Sequence, residues 1–156
     1  MGHELLPTEM NGIDFDTLNQ QGNFSSFNRY SRSKLPNILF AKALASRLAN
    51  EHVYVNATHP DLVATEIGRS TKDMMGTVGD KAGQLFNAVM GYSAEEGALT
   101  QLYLATSPEI ENRDATGQYF IPIANEIQPS RYARDEELQQ KLWTLSENLA
   151  REKINV

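Results

Sequence analysis

Tyr30-Ser31-Arg32-Ser33-Lys34 sets a phenol and an ammonium four residues apart, and an apolar run, Leu35-Pro36-Asn37-Ile38-Leu39-Phe40-Ala41-Lys42-Ala43-Leu44-Ala45-Ser46-Arg47-Leu48, follows at once. Residues at i and i+4 share one helical face, so Tyr30 and Lys34 can address a single substrate. A free phenol, with a pKa of ~10, is a poor proton shuttle at neutral pH. A fixed cation beside it favours the phenolate, and bringing the value toward ~7 takes about 4 kcal/mol of differential stabilisation. Such a pair can serve as general acid/base toward an alcohol or carbonyl oxygen. The same five residues also read as a solvated lysine beside a half-buried tyrosine, and Y-x-x-x-K alone does not separate the two.

Outward from that stretch, the periodicity predicts a helix over 27–49. Leu35, Ile38, Leu39, Ala45 and Leu48 form its apolar stripe, and Phe40, Ala43 and Leu44 widen it. A helix apolar on two sides calls for two covers, here a sheet and a partner subunit. Pro36 costs a hydrogen bond in a helix interior and is expected in the first turns. His52-Val53-Tyr54-Val55-Asn56-Ala57 and Thr58 read as a buried strand over 52–58. Residues 61–92 carry Gly, Thr, Lys and Met around a helical stretch near Lys81–Val89, with Met74, Met75, Phe86 and Met90 as an apolar wall or as ordinary core. Ser93-Ala94-Glu95-Glu96 caps a helix that Ser107-Pro108 stops. Thr116 to Pro122 reads as a second strand, and 135–152 as a terminal helix carrying Leu138, Leu142, Trp143, Leu145 and Leu149. Residues 1–26 read as loop, with Ile13, Phe15 and Leu18 in a short helical turn.

The order of these segments resembles the C-terminal half of the short-chain dehydrogenase/reductase family, nearest to its retinol-dehydrogenase-like and fungal members, from about His3 to about Pro122. In that family Y-x-x-S-K-L-x-N opens the active-site helix, and the next strand runs into H-P-G-x-V-x-T beside the nicotinamide. Here the second motif reads His59-Pro60-Asp61-Leu62-Val63-Ala64-Thr65, and Gly117-Gln118-Tyr119-Phe120-Ile121-Pro122 resembles G-x-Y-F/Y-x-P. The resemblance implies an α/β fold: a partial Rossmann-like, three-layer αβα arrangement with few parallel strands and three to four helices, as one partial domain over 1–156. It implies NADP or NAD as cofactor and a small, hydrophobic alcohol or carbonyl substrate bound in the 61–92 region. It makes Tyr30 the proton donor/acceptor and Lys34 the group that tunes it and holds the ribose. Pro60 would turn the strand end toward the cofactor, while the Val63 backbone and the Thr65 hydroxyl would meet the nicotinamide carboxamide. Asp61 departs from the pattern. Glycine there tolerates backbone angles that aspartate does not, and a carboxylate near a pyrophosphate repels it.

The family's T-G-x-x-x-G-x-G turn, in which backbone N–H groups and a helix N-terminus hold the pyrophosphate, has no counterpart in these 156 residues. Gly76-Thr77-Val78-Gly79 follows no strand. The sequence thus reads as the back half of an oxidoreductase, cut between its catalytic serine and its tyrosine, and the isolated chain is expected neither to bind NAD(P)H nor to turn over. Two functional readings stand: a nicotinamide-dependent oxidoreductase, and a truncated, non-catalytic remnant that binds a partner. Ser25 and Ser26 read as helix caps before they read as a substitute serine.

Composition excludes other classes. Hydrophobic residues at 40% and charged residues at 22% are ordinary for a globular chain. A net charge of −6 without a basic cluster argues against nucleic acid and anionic membrane as partners. Zero cysteines exclude disulfides and thiolate zinc sites, and His3, His52 and His59 lack metal-ligand spacing, so no metal is expected. No apolar run reaches the ~20 residues of a membrane span, and the expected location is cytoplasmic. With strands missing from the sheet, a homodimer or a partner-dependent fold is expected.

Overall fold

The computed structural model describes residues 12–16, 18, 26–60, 63 and 91–154, with the side chains of 26–32 and 154 excepted. Two long helices, α1 (Ser26–Arg47) and α4 (Glu136–Ile154), flank one face of a three-stranded sheet of β1 (Ala57–Thr58), β2 (Tyr119–Ile121) and β3 (Asn125–Ile127). The helices α2 (Ala94–Thr106) and α3 (Pro108–Asn112) lie between β1 and β2 in sequence. The strand order is β1-β2-β3, with β1 parallel to β2 and β3 antiparallel to it. The architecture is α/β and partly parallel, as expected of a partial Rossmann-like fold.

Side-chain alternation along β2 defines the layers. Tyr119 packs with Ala57 against a core of Leu35, Ile38, Leu39, Ala133 and Leu142, which joins α1, α4 and the 3-10 turn Tyr132–Arg134. Phe120 points the opposite way, as period two requires, and its ring lies 6.3 Å from that of Tyr103 on α2. Thr100 of α2 is buried, and its Oγ1 accepts from the backbone N–H of Ala124 beyond β2. Helices therefore cover both faces of the sheet. Full burial of Leu35, Leu39 and Phe120 contributes about 1.5–3 kcal/mol each.

Part of the second apolar side of α1 is packed by α4 of the same chain, while Phe40 stays 43% exposed. The Phe40 ring stacks on Trp143 at 5.4 Å, and the Arg47 guanidinium sits 4.0 Å above the same indole. Arg47 also donates to the Ala43 carbonyl and to Gln140 Oε1. Periodicity reports how many sides of a helix are apolar, not which element covers them. Pro36 lies well inside α1, not in its first turns. It removes one main-chain bond, and packing by Leu35, Ile38 and Leu39 around it holds the helix.

The expected buried strand over 52–58 is shorter and less covered. His52, at φ 51°, still belongs to the left-handed turn after α1, and Val53 is exposed. Ladder bonds reach beyond the two strand residues: Gly117 N–H donates to the Val55 carbonyl at 2.7 Å, Ala57 N–H to Gln118 at 2.9 Å, and His59 N–H to Phe120 at 2.8 Å. The Asn56 side chain completes the pairing. Its Nδ2 donates to the Ala115 carbonyl at 2.7 Å and its Oδ1 accepts from Gln118 N–H at 2.9 Å. Asn56→Ala would orphan both part-buried backbone groups and is expected to cost about 2 kcal/mol. Urea denaturation reads that loss, and a cost near zero would mean that water replaces the side chain.

Other boundaries follow local chemistry. Ser93 accepts from Glu96 N–H while the Glu96 carboxylate accepts from Ser93 N–H, a full capping box at the start of α2. Pro108 ends α2 and, as the first residue of α3, opens a helix that the sequence reading did not separate. Asp135 Oδ1 accepts from Leu138 N–H at the start of α4. Ile13 and Phe15 pack on the core, turn geometry is present at Asp16 and Leu18, and Leu18 is exposed. The expected helix at Lys81–Val89, and all of 1–11, 64–90 and the two residues 61–62, lie outside the described residues.

Candidate functional site

The direction of α1 against the sheet decides which end of the strands its N-terminal half reaches. Lys42 Nζ donates to the Gly117 carbonyl at 3.0 Å, and a Cβ on Gly117 would lie 3.5 Å from Ala45. Gly117 in turn bonds Val55, at the start of the parallel pair. The C-terminal half of α1 therefore sits at the amino ends of β1 and β2. Going back from Ala45 to Lys34 covers about 16 Å of helix axis, and going forward from Val55 to Pro60 covers about 16 Å of extended chain. At that rise the Lys34 position is set toward the carboxyl end of β1, and Tyr30, four residues earlier on α1, about 6 Å further along the axis. In open α/β sheets, ligands sit in the crevice outside the carboxyl ends of the strands.

Lys34 is half-buried next to fully buried Leu35. Tyr30 lies in α1, and its side chain is outside the described set, as is the whole of Ser25. Pro60 is exposed where the chain leaves the ladder after His59, a position at which the missing N–H of proline ends the pairing. Val63 is half-buried and forms an isolated parallel bridge with Tyr92, immediately before the Ser93 cap of α2. Thr65 and Asp61 lie outside the described residues. The direction of α1 thus sets the Tyr30–Lys34 segment and Pro60 toward the same end of the sheet, and Val63 is bridged to Tyr92 just ahead of α2.

Two residues near this end escaped the sequence reading. Thr58 Oγ1 is buried and has no hydrogen-bond partner among the described residues, two residues before Pro60. Gly97, in the first turns of α2, is buried against Val63: a Cβ there would lie 2.7 and 2.8 Å from the two γ-methyl carbons. The available signal for Gly97 was its place inside a helix, where glycine costs about 1 kcal/mol relative to alanine.

Electrostatics elsewhere is structural. Burial lowers the pKa of Lys42, and the charge of Arg134 adds to the shift. Tyr103 donates to Glu109 Oε2 at 2.9 Å, and that carboxylate raises the phenol above its usual value. An open, largely polar depression of about 390 Å³ lies at the opposite, amino end of β1, between Asn50, His52, Tyr54, Glu111, Asp114 and Thr116, and holds none of the predicted site residues. Among the described residues, no three His, Cys, Asp or Glu side chains converge as a metal site.

The sequence matches known proteins along most of its length. It is 40% identical over 139 residues to human retinol dehydrogenase 14, covering 86% of this chain and 39% of that protein. It is 33% identical over 160 residues to the short-chain dehydrogenase/reductase drtF of Aspergillus calidoustus, covering 97% of this chain and 48% of that protein. The chain belongs to the short-chain dehydrogenase/reductases. A third member, the chloroplastic short-chain dehydrogenase TIC 32 A of Brassica napus, is 34% identical over 148 residues, 94% of this chain and 43% of its own. The chain therefore spans about two fifths to one half of the length of these short-chain dehydrogenase/reductases. No family model and no solved structure matches it.

Proposed function

We propose that this chain carries the proton-transfer half of a short-chain dehydrogenase/reductase acting on a hydrophobic alcohol or carbonyl. The single observation that supports the reading is that α1, which carries Tyr30 and Lys34, runs with its N-terminal half toward the end of the parallel strand pair at which His59 and Pro60 leave the ladder. Tyr30 gives its phenolic proton to the substrate oxygen during reduction and takes it back during oxidation. Lys34, one turn along the same face, supplies a cation beside that oxygen and donors for a ribose. Pro60, the Val63 backbone and the Thr65 hydroxyl hold the carboxamide end of a nicotinamide nucleotide, NADP or NAD. When bound, that nucleotide supplies or accepts hydride.

The residues present suit one part of the cofactor only. The carboxyl end of β1 offers an exposed Pro60 and, just behind it, the Thr58 hydroxyl, which has no hydrogen-bond partner among the described residues. The 156 residues hold no glycine-rich turn for the pyrophosphate, and Asp61 sets a carboxylate in the second motif. We therefore assign the missing cradle to another segment or another chain, and a cytoplasmic setting to the assembly. Among the described residues no helix is long and apolar enough to cross a membrane.

A partner-binding reading draws on a different observation. Leu99, Leu102 and Ile123 are exposed large apolar residues, the two leucines on α2 and Ile123 in the turn that α2 bonds. A homodimer, or a complex with a longer relative, would cover them. Light scattering separates the cases, and a compact monomer with a sharp melt would contradict partner dependence.

The catalytic reading is tested by NADPH fluorescence. The isolated chain is expected to show no micromolar binding and no turnover of aliphatic or polyene aldehydes. The chain joined to the N-terminal portion of a curated relative is expected to show both. Micromolar binding by the isolated chain would refute the missing cradle. A folded fusion that binds NADPH without turnover would favour the non-catalytic reading.

A further inference from the structure

We infer that Gly97 is a positioning residue, one that sets the backbone of Val63 where the second motif meets the nicotinamide end of the cofactor. The inference rests on the site reading above and adds a residue that touches neither substrate nor cofactor. Ordinary carbon contact begins near 3.4 Å, and a Cβ at position 97 would fall 2.7 and 2.8 Å from Val63 Cγ2 and Cγ1. Any side chain there must displace Val63 by more than half an ångström. Valine is stiff about χ1, so rotation gives little relief and the displacement passes to the main chain.

Neither side of this contact is free to yield. Val63 is bridged to Tyr92, and the next residue, Ser93, is held by both bonds of the capping box with Glu96. On the α2 side, buried Thr100, one turn after Gly97, is bonded to Ala124 beyond β2. The helix backbone, the cap and the bridge clamp Val63 between them, and glycine is the residue that lets them close. Its local effect is opposite, since alanine is the better helix former at the same position.

Those opposed effects give the test its sign. Gly97→Ala, Val63→Ala and the double variant are compared by amide hydrogen exchange at the Val63–Tyr92 bridge and by NMR titration with nicotinamide mononucleotide through the millimolar range. That probe needs no pyrophosphate cradle. Gly97→Ala is expected to speed exchange at the bridge and to weaken the mononucleotide on the order of tenfold, as sub-ångström misplacement does. Adding Val63→Ala removes both γ-methyls and is expected to restore both readouts toward the parent. If Gly97→Ala does not fold, a folded double variant with parent-like titration gives the same support, and an unfolded one counts against the contact. Parent-like exchange and titration in Gly97→Ala, with the higher melting temperature that helix propensity alone predicts, would overturn the inference. Should the mononucleotide shift no amide in the parent while the exchange pattern holds, the site reading falls, and the role falls with it, though the contact stands.

Discussion

Tyr30→Phe is expected to lower kcat about 10²–10⁴-fold, the usual contribution of a positioned general acid/base, while leaving the substrate KM within a few-fold. The substitution keeps the ring and removes only the hydroxyl. Because the Tyr30 position lies about 6 Å beyond Lys34 along the α1 axis, its loss is not expected to disturb the core around Leu35 and Leu39. The measurement uses the chain joined to a cofactor-binding N-terminal portion of a relative, with circular dichroism and thermal melting as controls. Lys34→Ala is expected to differ in kind. It lowers kcat through the lost ammonium and raises the cofactor KM through the lost ribose contact, so the two variants separate chemistry from binding. Full kcat in a folded Tyr30→Phe would remove the proton-donor role.

Phe120→Ala is expected to destabilise the chain by about 3–5 kcal/mol. The residue is 1% exposed, its ring lies against Tyr103, and it belongs to β2, the strand to which both β1 and β3 are bonded. A domain of this size holds about 5–15 kcal/mol in all, and a three-stranded sheet with strands of two or three residues has little else to fall back on. Loss of Phe120 is therefore expected to leave α1 and α4 partly formed while the near-ultraviolet signal of the tyrosines collapses. Urea denaturation of Phe120→Ala and of Leu149→Ala makes the comparison. Leu149 is 38% exposed on α4 and should cost about 0.5 kcal/mol or less. A Phe120 variant as stable as the Leu149 variant would mean that β2 does not organise the sheet.

Sequence alone determined the features that depend on near neighbours along the chain. The α1 and α4 spans emerged within two residues, because their apolar positions recur with helical period over five turns or more. The Ser93 cap was legible because its partner, Glu96, is three residues away. The family was legible because its two motifs are short and their order is fixed. Tertiary structure decided what depends on through-space contact. Asn125-Glu126-Ile127 has no strand pattern of its own and becomes β3 by pairing with Tyr119 to Ile121, while Glu126 meets Arg113 at 2.8 Å. Residues 52–56, rich in β-branched and aromatic side chains, fall short of a full strand because a left-handed His52 and side-chain bonds from Asn56 and Thr116 replace part of the ladder. Periodicity marked α1 as apolar on two sides, and only the packed chain assigned part of the second side to Trp143 and Leu142. Gly97 shows the same division. Its cost is local and visible in the sequence, whereas the contact that requires it, with Val63 thirty-four positions earlier, exists only once α2 has docked against the end of β1.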